Sequence, residues 1–160
     1  MQPLWYEWYG MNDRPQPRLI LLLEPNPDHA QSIITGFRGS AASREGAIQT
    51  EWITITTDDQ ALDFIYRQGE YTNAPRPDLI LLNFSDPNNQ ALVTVIKENP
   101  QLRRIPIIIL HSELDPQQIL QSYLGKSNCY VLKSFNLEEL TAIAQRIESF
   151  WLGIVTLPLE

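Results

Sequence analysis

Four polar side chains stand at the ends of four apolar runs, and these are the residues best equipped for chemistry. Glu24 follows the run Arg18 to Leu23, Asn83 closes Leu79 to Leu82, His111 ends Ile105 to Leu110, and Lys133 follows Asn128 to Leu132. A carboxylate binds cations, a carboxamide hydrogen-bonds but is not a competent nucleophile at phosphorus, an imidazole titrates near neutral pH, and an ammonium group binds anions. In open parallel α/β sheets the site lies just beyond the carboxyl ends of the strands. If the four runs are neighbouring strands, the four side chains share one site.

The elements that must position them follow from the local pattern. Arg76-Pro77-Asp78 forms a turn into Leu79-Ile80-Leu81-Leu82, and Ser85-Asp86-Pro87 closes the run after Asn83. A short, continuous apolar run between turn formers predicts a strand buried on both faces. Arg18 to Leu23 predicts another, and Trp52 to Thr57, rich in β-branched residues, a further one. Between them, Asn26 is placed to cap a helix with Pro27 at its first position, Ala30, Ile33, Ile34 and Phe37 recur at helical spacing, and Gly39 is expected to stop it. The stretch from Gly39 to Ala47 then reads as a loop. Thr57 or Asp58 caps a second helix that ends near Gly69. Asn89 to Glu98 is a third, and Gln117 to Gly125, capped by Asp115, a fourth. Asn136 opens the last helix, with Glu139 three residues on completing a capping-box pair. Five strands alternating with five helices predict an α/β, flavodoxin-like (βα)5 fold, a doubly wound five-stranded parallel sheet of order 2-1-3-4-5.

A chain of 160 residues predicts one domain, spanning 18–150, with an N-terminal arm at 1–17 and an apolar tail at 151–160. Trp5, Tyr6, Trp8 and Tyr9 make the arm either a cover for its own domain or an aromatic docking segment. The net charge of −7 and the lack of a basic cluster in the linear sequence argue against nucleic acid as a partner. One cysteine, Cys129, excludes an intramolecular disulfide. No apolar run approaches the roughly 20 residues of a membrane span, and the N-terminus lacks a signal-peptide pattern. The expected setting is cytoplasmic.

Several stretches then resemble the receiver domains of bacterial response regulators, in particular the small single-domain regulators paired with cyanobacterial phytochromes. They are Leu21-Leu22-Leu23-Glu24 with Asn26-Pro27, Gly69-Glu70-Tyr71, Pro75 through Leu82, Leu102-Arg103-Arg104-Ile105-Pro106, Asn128 through Lys133, and Ile147-Glu148-Ser149-Phe150-Trp151 with Val155-Thr156-Leu157-Pro158. The resemblance implies a phosphoryl acceptor at the end of the third strand, a magnesium ion held there with an acidic pair after the first strand, a hydroxyl ending the fourth and a lysine ending the fifth. The residues at those places are Asn83, Glu24 with Pro25, His111 and Lys133. Only the lysine and one acidic residue match. Receivers usually follow the lysine with a proline, often in a cis peptide; Ser134 stands here, so a trans bond is expected.

These departures point to a degenerate receiver, a pseudo-receiver: a non-enzymatic, phosphorylation-independent interaction module with no cofactor and no metal. Lys133 is expected to pair with Glu24, with Asn83 as a bridge; anion binding at Lys133 is the alternative. A metal role for His111 finds no ligand spacing, since His29 falls on a helix and Cys129 in a strand. In the family resembled, the face of the fourth helix, fifth strand and fifth helix binds partners. Tyr130, Phe150, Trp151, Leu152, Ile154, Val155 and Leu157 are therefore candidates for a homodimer contact. A sensor histidine kinase of phytochrome type, or another receiver, is the other expected partner. The rival functions are a phosphoacceptor using an atypical residue and a small-ligand sensor at the vacated site.

Overall fold

The computed structural model describes residues 16–83, 89–112, 115–124 and 127–158. Five parallel strands, β1 (Arg18–Leu23), β2 (Thr50–Ile55), β3 (Leu79–Asn83), β4 (Ile107–His111) and β5 (Cys129–Leu132), form one sheet in the order β2-β1-β3-β4-β5. The helices are α1 (Pro27–Ala42), α2 (Asp58–Ile65), α3 (Asn89–Glu98), α4 (Pro116–Leu124) and α5 (Leu137–Trp151), with a 3₁₀ turn at Gly69–Tyr71. This is the flavodoxin-like, doubly wound (βα)5 architecture expected from the sequence.

The continuous apolar runs are divided by the two-residue period of the strand. Leu21, Leu23, Ile80, Leu82, Ile107 and Ile109 face one layer, where Phe64 of α2 and Ile96 of α3 close the core. Ile20, Leu22, Leu79, Leu81, Ile108 and Leu110 face the other, under Ile33 and Phe37 of α1 and Leu140, Ala144 and Ile147 of α5. The register Leu21↔Ile80 and Leu82↔Ile109 keeps the strand ends level, so their terminal polar residues emerge together.

Three local expectations are corrected. Gly39 does not stop α1, which runs on to Ala42. Gly36, not Gly39, is required by closeness: a Cβ there would lie 2.5 Å from the Thr141 carbonyl oxygen and 2.6 Å from Ala144 Cβ of α5, whereas one on Gly39 would meet only Gln145 Nε2 at an ordinary 3.5 Å. Packing against α5 stabilises the helix through positions whose propensity alone disfavours it. β2 begins at Thr50 and ends at Ile55, because Thr56 and Thr57 are taken by the next helix start. Thr57 Oγ1 accepts from Gln60 N at 3.2 Å, and Thr56 N donates to Gln60 Oε1 at 3.1 Å. α2 ends at Ile65, ahead of Gly69, with Gln68 N bonded back to the Asp63 carbonyl at 2.8 Å and Arg67 in a left-handed conformation (φ 53°).

The other caps lie where the sequence put them. Asn26 Oδ1 accepts from Asp28 N at 2.9 Å, Asp115 Oδ1 from Gln117 N at 2.9 Å, and Asn136 Oδ1 from Glu139 N at 3.0 Å. At α5, however, the capping box closes through an intermediary. Glu139 accepts from Ser134 Oγ at 2.5 Å, and that hydroxyl in turn accepts from Asn136 N at 3.1 Å. Ser134 thus completes the helix cap, and no described peptide bond is cis.

At the far end of the α1–α5 seam, Glu148 is fully buried and receives both terminal nitrogens of Arg44. Ser40 and Ser149 hydroxyls meet at 2.8 Å beside it. The Glu148 hydrogen bond pushes the Arg44 pKa up, reinforcing its charge. The arm expected at 1–17 lies outside the described residues except for Gln16 and Pro17. The expected tail at 151–160 is not detached through its described part: Leu157 is 5% exposed, and Trp151 and Leu152 pack on the α1–α5 core layer.

Candidate functional site

Glu24, Asn83, His111 and Lys133 converge at the carboxyl edge of β1, β3, β4 and β5, and all four are buried. Each is delivered by the strand before it, since the main chain stays in the ladder to the end of the run. Glu24 N donates to the Ile55 carbonyl at 2.9 Å, and Lys133 N donates to the His111 carbonyl at 2.6 Å.

Glu24 is the centre. One carboxylate oxygen accepts from Lys133 Nζ, the other from Asn83 Nδ2. A carboxylate only accepts, so the Asn83 carboxamide must turn its nitrogen toward it. The acid, 2% exposed, is thereby neutralised by an ammonium that is 5% exposed. Either charge buried alone would carry a desolvation penalty of several kcal/mol, and pairing with added hydrogen bonds offsets it.

His29, which the sequence placed on α1 without assigning it a part, is a fifth member of this cluster. Its ring is buried, and Nδ1 lies 3.1 Å from Glu24 Oε1. The nitrogen has no hydrogen-bond partner among the described residues. The ring edge also meets Phe135, with centroids 5.8 Å apart. A signal for its burial was present in the sequence: His29, Ile33 and Phe37 recur at four-residue steps along one helix stripe.

His111 has its ring centroid 6.0 Å from that of Tyr130, which packs on the α2–α3 core layer. Pro25 is exposed and carries no side-chain oxygen. Magnesium is bound through oxygen ligands, commonly one or two carboxylates with waters. Here the only carboxylate of the cluster among the described residues is already bonded to an ammonium and a carboxamide N–H, and the neighbouring residue is a proline. The described donor set of Glu24, Asn83, His111 and Lys133 does not fit a divalent cation. Among the described residues there is no group of three or more His, Cys, Asp or Glu side chains arranged to hold a metal. Burial pushes the Cys129 thiol pKa up, which keeps it protonated and poorly nucleophilic.

The interface candidates separate into two groups. Leu157 is buried, and Trp151, Leu152 and Tyr130 pack on their own domain, so apolar burial has already claimed them. Phe150 and Ile154 remain exposed, at 51% and 77%, while Val155 is half-buried. Leu120, Tyr123 and Leu124 of α4, Leu132 of β5, and Phe135 and Leu137 at the start of α5 are exposed as well, a signal that the sequence-level focus on the tail missed. No helix among the described residues is long and apolar enough to cross a membrane.

Comparison with known proteins places this geometry. No family model matches the chain. Response regulator Rcp1 of the cyanobacterium Synechocystis is 37% identical over 144 residues, covering 89% of this chain and 94% of that protein. The crystal structure of the phosphorylated cyanobacterial phytochrome response regulator RcpA is similar at 34% identity and a TM-score of 0.77, covering 89% of this chain and 99% of RcpA. The manganese-bound form of Rcp1 has the same TM-score at 36% identity, with 89% of this chain and all of that one covered.

Proposed function

The chain belongs to the response regulator receiver family, and we propose that within it this protein signals without phosphorylation, as a protein-interaction module of two-component type. Asn83 is the observation that carries the proposal. The strand end at which receivers of the resembled type present an acceptor aspartate presents a carboxamide, hydrogen-bonded to Glu24. An amide forms no acyl phosphate, so the covalent intermediate has no atom to form on. Three further features support the same conclusion. Lys133, which in such receivers meets phosphoryl oxygens, is engaged by Glu24. Pro25 removes a cation ligand, and His111 replaces the small hydroxyl. The domain is then held in one state by an internal ion pair, and output follows from partner availability.

The partner best supported is a phytochrome-type sensor kinase, from the kind of regulators this chain resembles. A second copy would dock through the exposed apolar residues Leu120, Tyr123, Leu124 and Leu132, and through Phe150 and Ile154 beside the α1–α5 seam.

Intact-mass spectrometry after incubation with acetyl phosphate and magnesium tests the central claim. The expected result is an unmodified mass for the wild type and for Asn83→Asp, which still has Pro25 and His111. A stable phosphoryl adduct on the wild-type chain would overturn the proposal. For assembly, light scattering is expected to give a dimer mass that falls toward monomer in a Leu124→Asp/Phe150→Ala variant; a monomeric wild type would remove the second copy as partner.

A further inference from the structure

Four arginines meet at the amino-terminal edge of the sheet, opposite the Glu24 cluster. Arg67 follows α2, Arg76 leads into β3, and Arg103 and Arg104 lead into β4; with Pro100 and Gln101 they line an open groove of about 330 Å³. The linear sequence shows no basic cluster, and the fold gathers cations that are up to 37 positions apart in the numbering. On a chain of net charge −7 the groove is a local inversion of sign.

Among the described residues no carboxylate forms an ion pair with any of the four arginines. The arginine–carboxylate pairs among the described residues are Arg18–Asp78 and Arg44–Glu148, and neither belongs to the groove. Two of the four guanidiniums are instead tethered to the main chain. Arg67 Nη1 donates to the Ala74 carbonyl at 2.9 Å, and Arg76 Nε to the Gln101 carbonyl at 3.0 Å. Each tether uses one of five N–H donors, leaving the rest of a fixed, planar fork for a solute.

Arg67 adds an independent observation. It is the only non-glycine among the described residues with positive φ, whereas Gly46 and Gly69 fill the comparable positions. The left-handed residue ends α2, with Gln68 N returning to the Asp63 carbonyl, and glycine enters that conformation more freely than arginine. Retaining arginine there places a cation on the groove wall at the expense of local backbone comfort.

We propose that this groove binds a small anion containing two or more linked phosphate groups, either free or carried by a nucleoside. Arginine forks match phosphate oxygens bidentately, and four of them exceed what one phosphate can satisfy. The lining residues include no aromatic ring to stack a base, so the phosphate chain itself is the recognised group. The acidic remainder of the chain repels an extended polyanion, which favours a short one.

Isothermal titration of the full chain, without magnesium and at about 150 mM salt to suppress diffuse attraction, tests this. Inorganic tripolyphosphate and ATP are expected to bind alike, and orthophosphate about tenfold more weakly or worse. Arg103→Gln/Arg104→Gln is expected to weaken tripolyphosphate about tenfold. Arg38→Gln/Arg146→Gln, remote from the groove, should leave it unchanged. Arg67→Gly should weaken binding while raising the melting temperature, a combination that a purely structural arginine would not produce. Tripolyphosphate binding that is absent, that falls equally in the remote pair, or that is replaced by binding of ATP alone would overturn the proposal.

Discussion

The two edges of the sheet handle charge in opposite ways. At the carboxyl edge, Glu24 and Lys133 are buried and satisfied by each other and by Asn83. At the amino edge, four arginines are gathered around an open groove with no ion pair to a carboxylate among the described residues, two of them held by carbonyl oxygens. Burial explains the contrast. A charge removed from water must find its partner within the chain, whereas a charge at the surface keeps its hydration until a solute replaces it. The edge that resembles a reaction site is therefore the closed one, and the edge with binding capacity to spare is its opposite.

Lys133→Met is the strongest way to break that comparison. It leaves Glu24 buried without its cation and is expected to destabilise the fold by about 3–5 kcal/mol in urea denaturation, with Glu24→Gln added to it recovering most of the loss. A single-variant loss below about 1 kcal/mol would mean that the carboxyl edge is open to water after all. Gly36→Ala probes the α1–α5 packing that seats His29 over this cluster. The added methyl meets the Thr141 carbonyl, which cannot easily move, and a loss of about 1–3 kcal/mol by the same measurement is expected.

Lys97→Met sharpens the contrast at the amino edge. Its ammonium donates to the Arg103 and Ile105 carbonyls at 3.3 and 3.0 Å and to Asn128 Oδ1 at 3.2 Å, with no carboxylate involved. Loss of those bonds is expected to cost about 1–2 kcal/mol, clearly less than Lys133→Met. Burial lowers the Lys97 pKa from its ordinary 10.5. Between the lowered value and 10.5 the unfolded chain binds the extra proton, so this group makes stability rise with pH across that alkaline window. The Met variant should lack that rise. The smallest effect is expected of His29→Leu: removing a buried nitrogen that has no hydrogen-bond partner among the described residues should stabilise the protein by about 1 kcal/mol, measured as a shift in denaturation midpoint.

Much of the fold was legible because its signals are local. Each β-run ends on a polar residue, and Asn26, Thr57, Asp115 and Asn136 cap helices at the positions their side chains favour. Gly39 misled because a glycine in a helix reads as a terminator until a neighbouring helix is known to press on that face; Gly36, one turn earlier, shows the pressure. Ser134 could not be given a role from its position, since its hydroxyl completes a cap only once Glu139 and Asn136 are folded around it. Trp151, Leu152 and Leu157 formed an apolar tail on paper, and only packing showed which of the neighbouring apolar residues were already covered.

By itself the sequence determined the alternation of strands and helices, the identity of the side chain at each strand end, and the lack of an acidic residue at 25 and 83. Those properties are either covalent or repeat with the period of one element, so a linear chain displays them. Only the tertiary structure decided that Glu24 meets Lys133 across 109 positions, that Arg44 answers Glu148 across 104, and that four scattered arginines share one groove. Contacts between elements have no period in the sequence. They are settled when the chain buries its apolar faces, and the polar groups carried along must then find partners within reach.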